Sequence, residues 1–304
     1  MIHNDQEIAE FKRQGIIVIR RGEPAYPERL ENLHTPPEVL YCRGDISLLN
    51  RPAVAIVGTR GCTRYGLDVA HQFARTFAEN GLVVVSGLAD GIDTAAHLGA
   101  IDGAGVKSTI AVLGNGLNVY YPTLNKSLQD KIGRGGLLIS EFLPNFNGTK
   151  SSFPQRNRIV AALARALVIV EADMKSGTMI TKDFALDLGI DVFAIPGSIL
   201  NPQSRGTNDL IKQAACAIAT EPADVLAVFG GARATRGGKN APTVIEFTFE
   251  EKQILDILRR DEVHIDELVE KSNLPIPRLA SVLIEMEIKG LIKKLAGNFF
   301  VSTL

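Results

Sequence analysis

Two stretches of this 304-residue chain carry positive charge with no acid among them, and each lies in or beside a loop that follows a strand-like run. Between residues 46 and 67 the charged side chains are Arg51, Arg60 and Arg64; between 142 and 170 they are Lys150, Arg156, Arg158 and Arg165. The first stretch holds GTRGCTRYG at 58–66, in which Gly58 and Thr59 precede Arg60 and the glycines let backbone amides approach a phosphate. The second holds FPQRNR at 153–158, where Phe153, Gln155 and Asn157 are interleaved with the arginines. Cations that neutralise phosphates, placed beside a ring that stacks on a base, are the chemistry of a polyanion groove. Any single arginine here pairs as readily with Asp90, Asp93 or Glu171 in a structural ion pair, but the set as a whole matches the groove better. Phe153 reads as core anchor and stacking platform together.

Catalytic patterns are weak by comparison. Ser86 precedes a glycine without a G-x-S-x-G surround, and His3, His34, His71, His97 and His264 show no paired spacing. Cys42, Cys62 and Cys216 stand outside any zinc spacing and are too scattered for a disulfide framework, which suits a reducing cytoplasm. Neither a G-x-G-x-x-G nor a P-loop occurs, and the second strand-like run ends at Val85-Ser86 without an acid for a ribose. Asp93 reads as the cap of the helix it opens. Glu171, at a strand end, is the strongest acid candidate, either facing a ligand crevice or orienting Arg156 or Arg158. The pattern predicts no catalytic residue, no metal and no cofactor.

Loops of this kind need a rigid frame. Continuous apolar runs at 53–57, 82–85, 110–113, 137–139, 167–170 and 192–195 read as strands buried on both faces. Helical spacing fills the intervals, as in Val69, Phe73, Phe77 and again Ile180, Phe184, Leu188. Together they predict an α/β fold with a doubly wound, mostly parallel sheet over residues 52–229. Residues 1–51, broken by Pro24, Pro27, Pro36 and Pro37, read as an extension packed on that sheet. Residues 230–243 are Gly- and Arg-rich without apolar periodicity and read as a flexible linker. In 244–304, Ile254, Leu255, Leu258, then Ile265, Leu268, Val269, then Leu279, Val282, Leu283, Met286 predict three short helices. A hairpin follows at 291–296 and 299–302, giving a winged-helix domain. Its third helix carries Arg278 and Lys289 against Glu285 and Glu287, and residues 246–304 hold 8 basic and 11 acidic side chains. That balance favours a protein-interaction or regulatory wing over one that reads duplex DNA.

Over the whole chain 33 Lys and Arg face 34 Asp and Glu, so overall charge excludes a polybasic protein and says nothing further about partners. No apolar stretch reaches the roughly 20 residues of a membrane span, and Asp5, Glu7 and Glu10 precede any apolar run, unlike a signal peptide. A cytoplasmic protein without membrane contact is the expectation.

Taken in order, several motifs resemble the DprA/Smf family of DNA-processing proteins. They are YPERL at 26–30, PPEVLYCRGD at 36–45, GTRGCTRYG, SGLADGIDTAAH at 86–97 and AVLGNGLNVYYPTLNKSL at 111–128. LLISEFLP at 137–144, FPQRNRIVAALA at 153–164, VEADMKSGTMIT at 170–181 and FAIPGSILNPQSRGTNDLI at 193–211 complete the set. The resemblance implies an extended Rossmann-like fold with a C-terminal winged helix. It implies a non-enzymatic, homodimeric protein that binds single-stranded DNA, protects incoming strands and helps load RecA recombinase in natural transformation and recombination. It places Arg60, Phe153, Arg156, Asn157, Arg158, Ser176, Gly177 and Thr181 at the DNA, and with the local pattern Gly58, Thr59, Arg64, Lys150, Gln155 and Lys182 join them. Gln155 stands where the family usually has a second arginine, and Lys182-Asp183 where a small residue and an arginine are common, which redistributes charge locally. The apolar segment 213–229, with Ile218, Val225, Leu226 and Val228, is the expected interface with a second copy or a partner. The alternative is a nucleotide-binding or nucleotide-hydrolysing enzyme or sensor of similar layout. Such relatives carry P-G-G-x-G-T-x-x-E, whereas Pro196-Gly197-Ser198 leads to no such glutamate.

Overall fold

The computed structural model describes residues 5–174, 176–230, 249–258, 263–272, 274–288, 291–294 and 297–302. Contacts divide the chain into a larger unit, Met1–Thr235, and a smaller one, Arg236–Leu304.

The strands of the larger unit are β1 (Ile17–Arg20), β2 (Val39–Gly44), β3 (Ala53–Val57), β4 (Val83–Ser86), β5 (Thr109–Val112), β6 (Leu137–Ser140), β7 (Ala166–Ile169), β8 (Asp191–Ala194) and β9 (Ala217–Ile218). Its helices are α1 (Asp5–Arg13), α2 (Arg64–Glu79), α3 (Ile92–Ala104), α4 (Lys126–Gly135), α5 (Ser152–Ala162), α6 (Thr178–Asp187), α7 (Arg205–Lys212) and α8 (Pro222–Leu226). The strands form one sheet in the order β1-β2-β6-β5-β4-β3-β7-β8-β9, parallel from β6 through β9.

Alternate residues of each central strand feed opposite cores. Val54 and Ile56 meet Phe73 and Phe77 of α2 and Ala96 of α3, while Ala55 and Val57 meet Ile159 of α5 and Ala185 of α6. Helices on both faces explain why these strands are continuously apolar in sequence.

The six runs read from sequence become β3 to β8, shifted by a residue at most. The N-terminal segment does more than pack on this frame. β1 and β2 join the sheet itself, antiparallel beside β6, with Tyr41 opposite Ser140 and Ile19 opposite Leu40. The edge of β6 offers unpaired backbone groups, and an antiparallel neighbour satisfies them without a helical crossover.

In the smaller unit, α9 (Phe249–Leu258), α10 (Ile265–Ser272) and α11 (Ile276–Ile288) pack with a small antiparallel sheet. Its strands are β10 (Val263–His264), β11 (Ile292–Lys294) and β12 (Phe299–Ser302), ordered β10-β12-β11. Ile254, Leu268, Leu279, Val282, Met286 and Phe300 form its core. The three helices and the hairpin are those predicted; β10 is the addition, two residues long and too short to leave a pattern. The predicted linker beyond Gly230, and Lys289, lie outside the described residues. Among those described, no helix is long and apolar enough to cross a membrane.

Candidate nucleic-acid interface

From β3 the chain runs outward through β4, β5 and β6, then returns across α5 to place β7, β8 and β9 on the other side. Loops leaving the strand ends on either side of this switch diverge, and a crevice opens between them. Here it is a cleft of about 650 Å³. Gly58, Thr59 and Arg60 after β3, Gly87 and Ala89 after β4, residues 147–150 after β6, the first turns of α5, and Ser176 to Thr178 after β7 line it.

Arg60 and Lys150 are exposed on the cleft wall and form no ion pair among the described residues. The Arg60 guanidinium lies 5.9 Å from the centroid of the Phe153 ring. Phe153 in turn meets Tyr121, their centroids 4.9 Å apart and their planes inclined by 39°. The Phe153 ring is half-buried and presses on the backbone at Gly114, so one face is anchored in the fold and the other belongs to the cleft. On the opposite wall Asn157 Nδ2 donates to the Gly177 carbonyl at 3.4 Å, and Ser176 Oγ accepts from the Thr178 amide at 3.2 Å. Thr181 closes that wall, buried. Two cations, a pair of aromatic rings and a glycine-rich backbone therefore share one concavity, a combination that binds phosphates and stacks bases.

Arg156 touches this cleft from below, not as a free cation. It is 4% exposed, and its Nη1 donates to the Gly87 carbonyl at 2.6 Å and also to that of Val112. Gly87 has to be glycine, because a Cβ there would occupy the space of the guanidinium. Burial pulls the Arg156 pKa down to about 10, against the attraction of Asp93 nearby.

Four other predicted DNA residues do not line the cleft. Arg158 is held by both oxygens of Glu141 at 2.6 and 2.7 Å and by the Thr35 carbonyl at 3.1 Å, so this buried pair is internal. Gln155 donates to the same Glu141 at 3.3 Å. Arg64, at the start of α2, reaches Asp68 one turn on at 3.0 Å. Lys182 contacts its neighbour Asp183 at 2.5 Å, and its charge acts on Cys216, away from the cleft.

The two acids singled out from sequence are structural as well. Glu171, 1% exposed, accepts from the Thr63 amide at 2.8 Å, the Thr63 hydroxyl at 2.7 Å and Asn201 Nδ2 at 3.2 Å. It fixes the entry to α2 and orients neither Arg156 nor Arg158. Asp93 does not cap α3, whose N-cap is Gly91; it accepts from the amides of Gly87 and Ala89 at 3.1 and 3.4 Å and holds the loop after β4. Burial raises its pKa above the ordinary carboxylate value. Among the described residues no cluster of His, Cys, Asp or Glu is arranged to hold a metal ion.

Sequence reasoning missed Tyr121, Asn147 and Thr149 as cleft residues. Tyr121, in Tyr120-Tyr121-Pro122, carried a signal: an exposed aromatic beside a proline turn. The partner interface is corrected too. Val225 and Leu226 are 0% and 6% exposed, buried with the α2 core because short α8 folds back on it, and Val228 packs against the same core. Ile218 alone of the four is exposed, at 49%, on edge strand β9.

A family model described as DNA recombination-mediator protein A matches residues 17–230, and one for the DprA winged helix domain matches 241–298. The DNA processing protein DprA of Streptococcus pneumoniae is 44% identical over 75% of this chain and 77% of its own length. The Smf protein of Escherichia coli is 34% identical over 90% of this chain and 74% of its own. The X-ray structure of the pneumococcal protein superimposes with a TM-score of 0.68 at 43% identity, covering 74% of this chain and 78% of that one. DNA processing protein A of Helicobacter pylori, whose structure addresses its unique single-stranded DNA binding mode, gives 0.64 at 34% identity, covering 70% and 95%.

Proposed function

The chain belongs to the DNA recombination-mediator protein A family, and from that premise we propose that it binds single-stranded DNA in the cleft at the switch point of its sheet. The observation that carries this reading is that Arg60 and Lys150, which form no ion pair among the described residues, share one cleft with the Tyr121–Phe153 rings. The cations neutralise phosphates, while the rings require bases that are not already stacked in a duplex. Binding is the role this cleft serves, and Asp93 and Glu171 hold the loops that shape it. The bound strand is protected and handed to RecA recombinase. A homodimer, formed at the outer edge where Ile218 is exposed on β9, sets two clefts on one strand and raises avidity.

Fluorescence anisotropy with a labelled oligothymidylate, alone and annealed to its complement, tests the central claim. Preference for the single strand, with affinity lowered in Arg60→Ala and Lys150→Ala, is the expected result; equal binding of both forms contradicts it. RecA ATP hydrolysis on protein-coated single strands, with and without the chain, tests the loading step.

A further inference from the structure

A recess of about 20 Å³ opens at the side of the cleft among Arg60, Asp90, Asn115, Tyr121, Phe153 and Arg156. It has room for about one water-sized group. A base stacked on the Tyr121–Phe153 rings therefore reaches it with an edge only.

Some polar atoms of the residues around this recess have no partner among the described residues. Asn115 is 1% exposed, and its Nδ2 donates to the carbonyls of Gly116 at 3.0 Å and Val119 at 2.8 Å. Those bonds fix the amide orientation and leave Oδ1 a buried acceptor with no donor among the described residues. Arg156 Nε is a buried donor in the same position. Asp90 is half-buried and forms no hydrogen bond or ion pair among the described residues. Its place is held by Gly91, which follows at φ +78° and whose missing Cβ would strike the Thr59 and Arg60 carbonyls.

A carboxylate in a groove for a polyanion repels phosphate. It is favourable only toward a ligand that brings N–H donors to it. Unpaired bases expose their Watson–Crick edges, and these differ in donors. Guanine presents N1–H and the N2 amino group side by side. Adenine and cytosine present one amino group each. Thymine has a single N–H between two carbonyls, which a carboxylate repels. Two carboxylate oxygens match two adjacent donors, the bidentate geometry of strong base readout.

We infer that Asp90 is a specificity residue that makes the base subsite over Tyr121 and Phe153 prefer guanine. The inference rests on the single-strand reading of the cleft and adds base choice to it. Arg60 and Lys150 bind any strand; Asp90 sets its register by drawing a guanine to the rings.

Equilibrium binding of the full chain to oligothymidylate, and to the same oligomer carrying one guanine or one inosine, tests this. The strand slides, so a lone guanine finds the subsite. The guanine probe should bind about tenfold tighter than the all-thymine one. Inosine, lacking the N2 amino group, should lose most of that gain. Asp90→Ala and Asp90→Asn should bind the all-thymine probe at least as tightly as the parent and lose the guanine preference. Equal affinity of the parent for all three probes overturns the inference, as does a preference that survives in Asp90→Ala. Failure of the parent to bind any of the probes removes the single-strand reading and this inference with it, a result distinct from binding without discrimination.

Discussion

Arg156 Nη1 donates to the Gly87 carbonyl at 2.6 Å, tying α5 to the end of β4 directly beneath the cleft. The same atom reaches the Val112 carbonyl at the end of β5, so one buried guanidinium joins three elements. The residue whose sequence context most resembles a phosphate ligand is thus part of the floor on which the ligands stand.

Arg156→Ala should therefore unfold the domain more readily instead of merely weakening binding. It leaves Asp93 buried without its cation and two carbonyls without a donor, a loss of about 3 kcal/mol or more. Arg156→Lys should recover little, because an ammonium is a more strongly hydrated point charge that costs more to bury and lacks the planar group that fills this site. Urea denaturation midpoints measure both; wild-type stability in Arg156→Ala would contradict the floor role.

Salt dependence counts the free cations. With Arg60 and Lys150 each neutralising one phosphate, log K against log salt should slope at about −0.7 × 2, or roughly −1.4, per cleft on single strands. Arg60→Ala should reduce that slope by about 0.7 and weaken binding by the same factor whatever the bases, since phosphate contacts position without reading sequence. A slope near twice this value would put Arg156 and Arg158 back among the phosphate ligands.

Acid should destabilise the larger unit through His97. Its ring is fully buried, with Nδ1 at 2.7 Å from Thr109 Oγ1, a hydroxyl that donates onward to the Val84 carbonyl, so Nδ1 carries the proton. Burial, aided by the charge of Arg156, pushes its pKa down to about 3. The unfolded chain takes up that proton near pH 6.5 and the folded one does not. Stability from this group is complete above about pH 6.5 and falls as pH drops toward about 3, by up to about 1.4 kcal/mol per unit. Asp93, with its raised pKa, acts in the opposite sense. His97→Gln removes only the first contribution, so thermal melts across this window should show a shallower acid loss than wild type; superimposable profiles would argue for a charged imidazole.

Two substitutions separate core from edge at the end of the larger unit. Val225→Asp should cost about 3 kcal/mol by placing a carboxylate in the α2 core. Ile218→Asp should leave the fold intact and lower the mass measured by light scattering. Unchanged mass in Ile218→Asp would move the dimer contact elsewhere.

Much of this protein was legible in its sequence because the relevant signals are local. Val54 and Ile56 are apolar like their neighbours since both faces of β3 are covered, and periodicity along a few residues reports that covering directly. The glycine-rich turn at 58–66 and the cations at 60 and 150 could be placed at strand ends for the same reason. β1, β2 and β9 were not read as strands of the sheet: β1 and β2 have short apolar runs at 16–19 and 39–42, but only the fold brings β2 beside β6, about a hundred residues later, and β9 is two residues long. Which arginines are free was also hidden. Arg158 is spent on Glu141, 17 residues earlier, and Arg156 on Gly87, 69 residues earlier, and only the folded sheet brings those partners within reach. Charge is a property of a residue and reads from sequence; the availability of that charge depends on what the fold sets opposite it, and for Arg60, Lys150 and Asp90 the tertiary structure alone decided that no opposite charge among the described residues pairs with them.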